Sequence, residues 1–154
     1  MENSHRKYKN DVTSINHIIH ALYDVISGEK GNKRDWDREK YIFHPNAQLT
    51  KIEYDKDGNR IIRFMTLEDF IEYAKPFLDG EGFFEYEIFN KVDEFAHIAH
   101  VWSTYACKKD LDDPVPYSRG INSIQLLNDQ NRWWILSVYW NSESNKYSIL
   151  TKYL

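Results

Sequence analysis

Arg119, Ser123, Ser103 and Tyr105 carry the clearest chemical potential in this chain, all on β-like runs. A guanidinium is a planar fork that grips a carboxylate through two parallel hydrogen bonds. Inside a core Arg119 needs a partner, because stranding one member of a buried ion pair costs about 3–5 kcal/mol. Glu85, Glu87 or an anionic ligand can supply it; at a sheet edge the same arginine is solvated or paired structurally. The hydroxyls of Tyr105, Ser103 and Ser123 can donate to a ligand carbonyl or, in ordinary sheet packing, to backbone. His44 is a candidate general acid or base, with Asp35 and Asp37 close enough in sequence to orient it. Its plainer role is to end a helix before Pro45. His17 and His20 have a spacing that can hold a metal, but no third ligand accompanies them. His97 and His100 differ in strand parity and cannot share a metal on one face. Cys107, beside Lys108 and Lys109, has the setting for a lowered pKa, yet no histidine partner for nucleophilic work. No metal and no cofactor is expected.

The elements that must position these groups are legible in the periodicity. Val12, Ile15, Ile18, Ile19, Leu22, Val25 and Ile26 follow one helix face, which predicts a helix from Asp11, capped by Asn10 or Asp11 and ended by Gly28. Asp35 reads as the N-cap of a short second helix through Phe43. Strands follow over 47–54 and 60–65, with Asp57-Gly58 as a hairpin signal. Thr66 opens a third helix with acids in its first turn, and Pro76 and the Gly80/Gly82 pair close it. The remainder is strand: 83–92, 95–108, 117–127 and 132–142, with a short tail. Residues 1–10 are expected to be flexible, 11–142 to form one domain, and 143–154 to extend it. Helices followed by long antiparallel strands give an α+β layout. The strands then form a curved sheet wrapped around the long first helix.

Composition bounds the function. Aromatics are 16% of the 154 residues, enough for a ring-rich core or cavity. A formal charge of −4, from 24 acids and 20 bases, argues against a nucleic-acid footprint. One cysteine cannot form an intramolecular disulfide, and no apolar run approaches membrane-spanning length, so a cytoplasmic protein without membrane partners is expected.

Three segments resemble the nuclear transport factor 2-like superfamily, and within it the SnoaL-like branch. They are Arg34-Asp-Trp-Asp-Arg-Glu-Lys-Tyr-Ile-Phe-His-Pro-Asn-Ala-Gln-Leu49, Ala99-His-Val-Trp-Ser-Thr-Tyr105, and Arg119-Gly-Ile-Asn-Ser-Ile-Gln-Leu126 followed by Arg132-Trp-Trp-Ile135. The resemblance implies a cone-shaped, cystatin-like roll with its reactive groups inside. It implies that strand faces bearing Ala99, Val101, Ser103 and Tyr105, then Arg119, Ile121 and Ser123, then Trp134, Val138 and Trp140 point inward. A single bulge would reverse part of that assignment. Isomerases of the superfamily keep a carboxylate base at the end of the first strand, where this chain has Thr50 or Lys51. They keep a tyrosine on the first helix, where an ungapped reading gives Ala21, with Tyr23 two residues away. They keep a protonated acid where Ser123 stands here. The isomerase dyad is therefore missing. The dehydratases share the Asp35-Trp-Asp-Arg38 segment but need a histidine pair that is not placed here.

The expected function is a pocket for a small apolar molecule with a carbonyl or carboxylate, in a protein that forms a homodimer through its sheet face. Its expected lining is Arg119, Ser123, Ser103, Tyr105, Trp140, Phe84, Val101 and Val138. One alternative is a lyase-, isomerase- or cyclase-type enzyme using His44 or Tyr105, with Asp35 in support. Another is a homodimeric interaction module joined through the sheet, with Trp133, Ile135 and Tyr139 near the contact.

Overall fold

Ser14 sets the start of helix α1, Ile15–Ile26, by accepting a hydrogen bond from the His17 N–H. Its inward stripe of Ile18, Ile19, Leu22 and Val25 is buried as the periodicity predicts. The start differs from the expected Asp11. Lys9–Val12 forms a separate 3-10 turn, and Asp11 is committed to the Arg38 guanidinium. The computed structural model describes residues 7–154. The flexible segment expected over 1–10 lies outside the described residues as far as residue 6. Beyond that it is folded, with Tyr8 buried and its hydroxyl donating to Asp35 at 2.8 Å.

Asp35 caps α2, Trp36–Ile42, through the Arg38 N–H, as expected. The chain then enters β1, Phe43–Tyr54, without a break. His44 and Pro45 therefore start a strand rather than follow a helix stop. The ladder to the last strand slips between Phe43 and Gln48, which accommodates a proline that has no N–H to give. Strand β2, Arg60–Met65, returns through a turn in which Gly58 takes φ +81° and Asp55 accepts two backbone N–H groups. A Thr66/Asp69 capping box opens α3, Leu67–Gly80, which continues through Pro76.

Four strands complete the sheet: β3 Phe84–Phe95, β4 Ile98–Lys108, β5 Ser118–Asp129 and β6 Arg132–Ser142. Gln130 and Asn131, both at positive φ, make the tight β5–β6 turn. Among the described residues the order is β2-β1-β6-β5-β4-β3. The architecture is the expected α+β curved sheet around helices. One pairing departs from an antiparallel meander: β1 runs parallel to β6, so the sheet is mixed.

The inner sheet face meets α1 in one core containing Leu22, Val101, Tyr105, Ile124, Ile135 and Val138. The C-terminal segment crosses the outer face. Thr104 donates to the Tyr153 carbonyl at 2.8 Å, and the Tyr153 ring lies against Trp102 and Phe89. Among the described residues no helix is long and apolar enough to cross a membrane.

Candidate functional site

Between α1, α2, α3 and the inner sheet face the fold leaves a cavity of about 470 Å³. Its wall is largely apolar, with Phe70 and Trp140 meeting edge to face at 6.0 Å. Two carboxyls interrupt that wall.

Glu39 is placed by α2. Arg34 first fixes the preceding loop, donating to the Ile26, Gly28 and Asn32 carbonyls at 2.8, 2.9 and 2.6 Å. Asp35 then starts the helix, and the helical repeat puts Glu39 on the face that Ile42 buries. Glu39 is 0% exposed, and neither carboxyl oxygen has a hydrogen-bond partner. Burial alone pushes its pKa up to about 8.

Glu85 is placed by β3, opposite Cys107 on β4. Its Oε1 accepts from Asn122 Nδ2 at 3.3 Å, and the Cys107 thiol approaches Oε2 at 3.6 Å. Burial raises its pKa to about 7, against the pull of those two contacts. The same burial, followed by the Glu85 charge, pushes the Cys107 thiol and the Tyr105 phenol up. The expectation of a lowered Cys107 pKa is thus reversed: Lys108 ends the strand and Lys109 lies beyond it, whereas the thiol faces an acid. Behind this wall Tyr23 bridges Ser103 Oγ at 2.6 Å and Asn122 Nδ2 at 3.1 Å, and Ser103 donates to Glu87. Lys51, on the partly exposed rim, is held by Glu53 at 2.7 Å and by the Tyr73 hydroxyl at 2.8 Å.

Of the residues expected to line a pocket, Tyr105, Trp140 and Val138 do so. Ser103 and Val101 share the inner face but are packed solid, Ser103 in the Tyr23 cluster and Val101 in the core. Arg119 and Ser123 face the other way. Tyr105 pairs with Gly120 and Ser103 with Asn122, so the even-numbered residues of β5 share the inner face. Arg119 pairs with Glu143 at 2.8 Å, not with Glu85 or Glu87. Ser123 contacts His100 at 3.4 Å on the outer face. Phe84 lines a shallow groove beside α1, and its neighbour Phe83 reaches the cavity. His44 packs its ring on Trp134 and accepts from the Asn46 N–H, away from the cavity. Asp35 serves as a cap and a Tyr8 acceptor and does not orient His44.

Strand β6 contains the bulge that reverses part of the parity. Leu126 pairs with Ile135 and Gln125 with Ser137, leaving Leu136 as the extra residue. Trp133 and Ile135 are consequently core residues, not interface residues. Tyr139 remains outward and exposed. The groups that sequence reasoning missed are Glu39, Asn122 and Glu85 as a wall residue. No local signal marks Glu39; the docking of α2 onto the sheet is what buries it.

No family model matches the chain, and no curated protein matches it. Solved structures do. A Nostoc punctiforme protein of unknown function with a cystatin-like fold aligns at a TM-score of 0.65 and 12% identity, over 85% of this chain and 90% of that one. A nuclear transport factor 2-like protein of unknown function from Silicibacter pomeroyi aligns at 0.58 and 14% identity, over 93% of this chain and 99% of that one. The fold is nuclear transport factor 2-like. The association domain of C. elegans CaMKII shares it at 0.55 and 18% identity, over 90% of this chain and 98% of that one.

Of Thr50 and Lys51, the two positions expected for an isomerase base, Lys51 lines the cavity as a cation engaged by Glu53. Ser123, expected inside, faces out, and Asn122, one residue earlier, faces in because of the β5 parity. Tyr23 carries a phenol on α1, and it contacts the polar cluster rather than the cavity. The cavity's acids come instead from α2 and β3.

Proposed function

We propose that the cavity binds a small, largely apolar molecule through one carbonyl group. The observation that carries this reading is a 470 Å³ cavity walled by rings and aliphatic groups and broken by few polar side chains. Tyr105 and a protonated Glu85 are hydrogen-bond donors on that wall. A carboxylate ligand, the other expectation, is disfavoured: two acids share the cavity and Arg119 is turned away from it. The SnoaL-like branch, with its pocket proteins, is the part of the superfamily this reading fits. The test is binding of benzylacetone, followed by thermal unfolding and calorimetry. A rise in melting temperature that is lost in Trp140→Ala supports the reading; no binding at millimolar ligand overturns it.

Self-association as a homodimer is a second reading. It is supported by large apolar side chains left outside: Phe64 is 76% exposed, Phe95 78% and Ile98 60%. A sedimentation mass of one chain at micromolar concentration would reject it.

A further inference from the structure

Glu39 has no structural reason to be a glutamate. A glutamine or leucine would fill the same space without burying an ionisable group, and a buried polar group without partners costs about 1–3 kcal/mol. Its two oxygens are unpartnered and buried, and the residue is one of those that line the cavity. The cavity is also ring-rich: Phe43, Phe70, Tyr73, Phe83, Tyr105 and Trp140 line it. Ring faces attract cations, most strongly where water is excluded. A carboxylate set among aromatic faces is the chemical complement of an ammonium on an apolar body.

Among the described residues that line the cavity, none offers Glu39 a free cation. Among the described residues, the titratable groups sharing the wall with Glu39 are Lys51 on β1, Tyr73 on α3, Glu85 on β3, Tyr105 and Cys107 on β4, and Tyr117 before β5. From α1 and β6 the wall has Leu22, Ile26, Val138 and Trp140, none titratable, with the Ser142 hydroxyl at the β6 end. Lys51 is occupied by Glu53 and Tyr73. Glu85 already receives Asn122 and the Cys107 thiol, so Glu39 is the acceptor left open.

We propose that the cavity also takes small primary amines, the ammonium entering opposite Glu39 as that carboxyl gives up its proton to solvent. The inference rests on the cavity being a ligand site and adds a second ligand class to it. A protonated carboxyl donates to a carbonyl; the ionised carboxyl accepts from an ammonium. One wall thus serves both, selected by its proton count. The ligand keeps its charge, Glu39 gains one, and a single proton leaves.

The experiment compares phenethylamine with benzylacetone and hydrocinnamate, which match it in size but are neutral and anionic. Calorimetry in buffers of different ionisation enthalpy counts the protons. Amine binding should release close to one proton at pH 7, since a carboxyl titrating at about 8 is mostly protonated there. Amine affinity should rise by up to about tenfold per pH unit between pH 6 and 8, while ketone affinity does not rise. In Glu39→Gln, with its fold checked by thermal unfolding, the proton release and the pH dependence should vanish. The release measurement needs only the unaltered chain, so a variant that fails to fold leaves the test intact. Amine affinity that does not rise with pH, or amine binding without proton release, overturns the inference and leaves the cavity reading standing. Failure of benzylacetone alone overturns the carbonyl reading, and failure of all three probes overturns the cavity as a ligand site.

Discussion

Gly120 lies directly across the β4–β5 ladder from Tyr105, and the tyrosine ring end occupies the space a side chain at 120 would need. A Cβ there would fall 2.3 Å from the Tyr105 hydroxyl oxygen and 2.6 Å from the Asn141 carbonyl. The glycine thus lets Tyr105 lie flat along the inner face and reach Ser142 at 3.1 Å. Gly120→Ala should destabilise the fold by about 1–3 kcal/mol, the usual range for overpacking, read as a lower urea midpoint. Adding Tyr105→Ala should recover part of that loss relative to the two single changes combined. Strict additivity in the cycle would mean that the two positions do not compete for space.

Stability should fall as pH rises through the neutral range. Glu39 has a folded pKa raised to about 8 from 4.5, so between those values the folded chain holds a proton that the unfolded chain has released. Each such proton costs about 1.4 kcal/mol of stability per pH unit. Glu85, raised to about 7, adds to the loss over the lower part of the window. Asp35 and Glu53 act oppositely. Their folded pKa values are lowered, so their contribution is present above the ordinary carboxylate range and lost as pH falls through it. Denaturant unfolding from pH 4 to 9 should therefore show a maximum on the acid side of neutrality. Glu39→Gln should flatten the descent towards pH 8. A descent of the same slope in that variant would remove Glu39 as its source.

Arg119→Ala should leave ligand binding in the cavity unaffected and cost at most about 1 kcal/mol, the range for a partly exposed ion pair. Its guanidinium meets Glu143, which also accepts the Ile149 N–H at 3.0 Å, so its work is to anchor the C-terminal segment. Calorimetry with benzylacetone on this variant and on Trp140→Ala separates the two residues. An equal loss of affinity in both would put Arg119 back at the site.

The elements were more legible than the directions of their side chains. Helix stripes, caps at Asp35 and Thr66 and strand positions follow from local chemistry, so they could be read one segment at a time. Which face of β5 turns inward depends on its partner. Ile121 and Ile124 put an apolar residue on each face, and only the pairing of Gly120 with Tyr105 decides between them. The slip at Leu136 has the same character, since a bulge is a property of two strands. Arg119 and Ser123 were therefore misplaced by one residue, and Asn122 was passed over. Glu39 was missed for a different reason. Within an Asp-Trp-Asp-Arg-Glu-Lys run it reads as one more surface charge, and only the docking of α2 onto the sheet shows it buried.

Removing the tail should turn the outer sheet face into an association surface. Tyr147, Leu150 and Tyr153 lie over a groove formed with Trp102, Ile121 and Tyr139, and Tyr147 stacks on Tyr54 at 6.2 Å. The tail thereby shields the sheet face that a sheet-to-sheet dimer would use. A chain ending at Ser144 keeps Glu143 and its pair with Arg119 but uncovers those rings. Contiguous apolar surface of this kind drives self-association, so sedimentation should show larger species for the shortened chain than for the full chain at equal concentration. Tyr153→Ala should shift the distribution in the same direction and less far, because Thr104 bonds to the backbone carbonyl at 153 rather than to the ring. An unchanged distribution for both would mean that the tail caps the fold without guarding an interface.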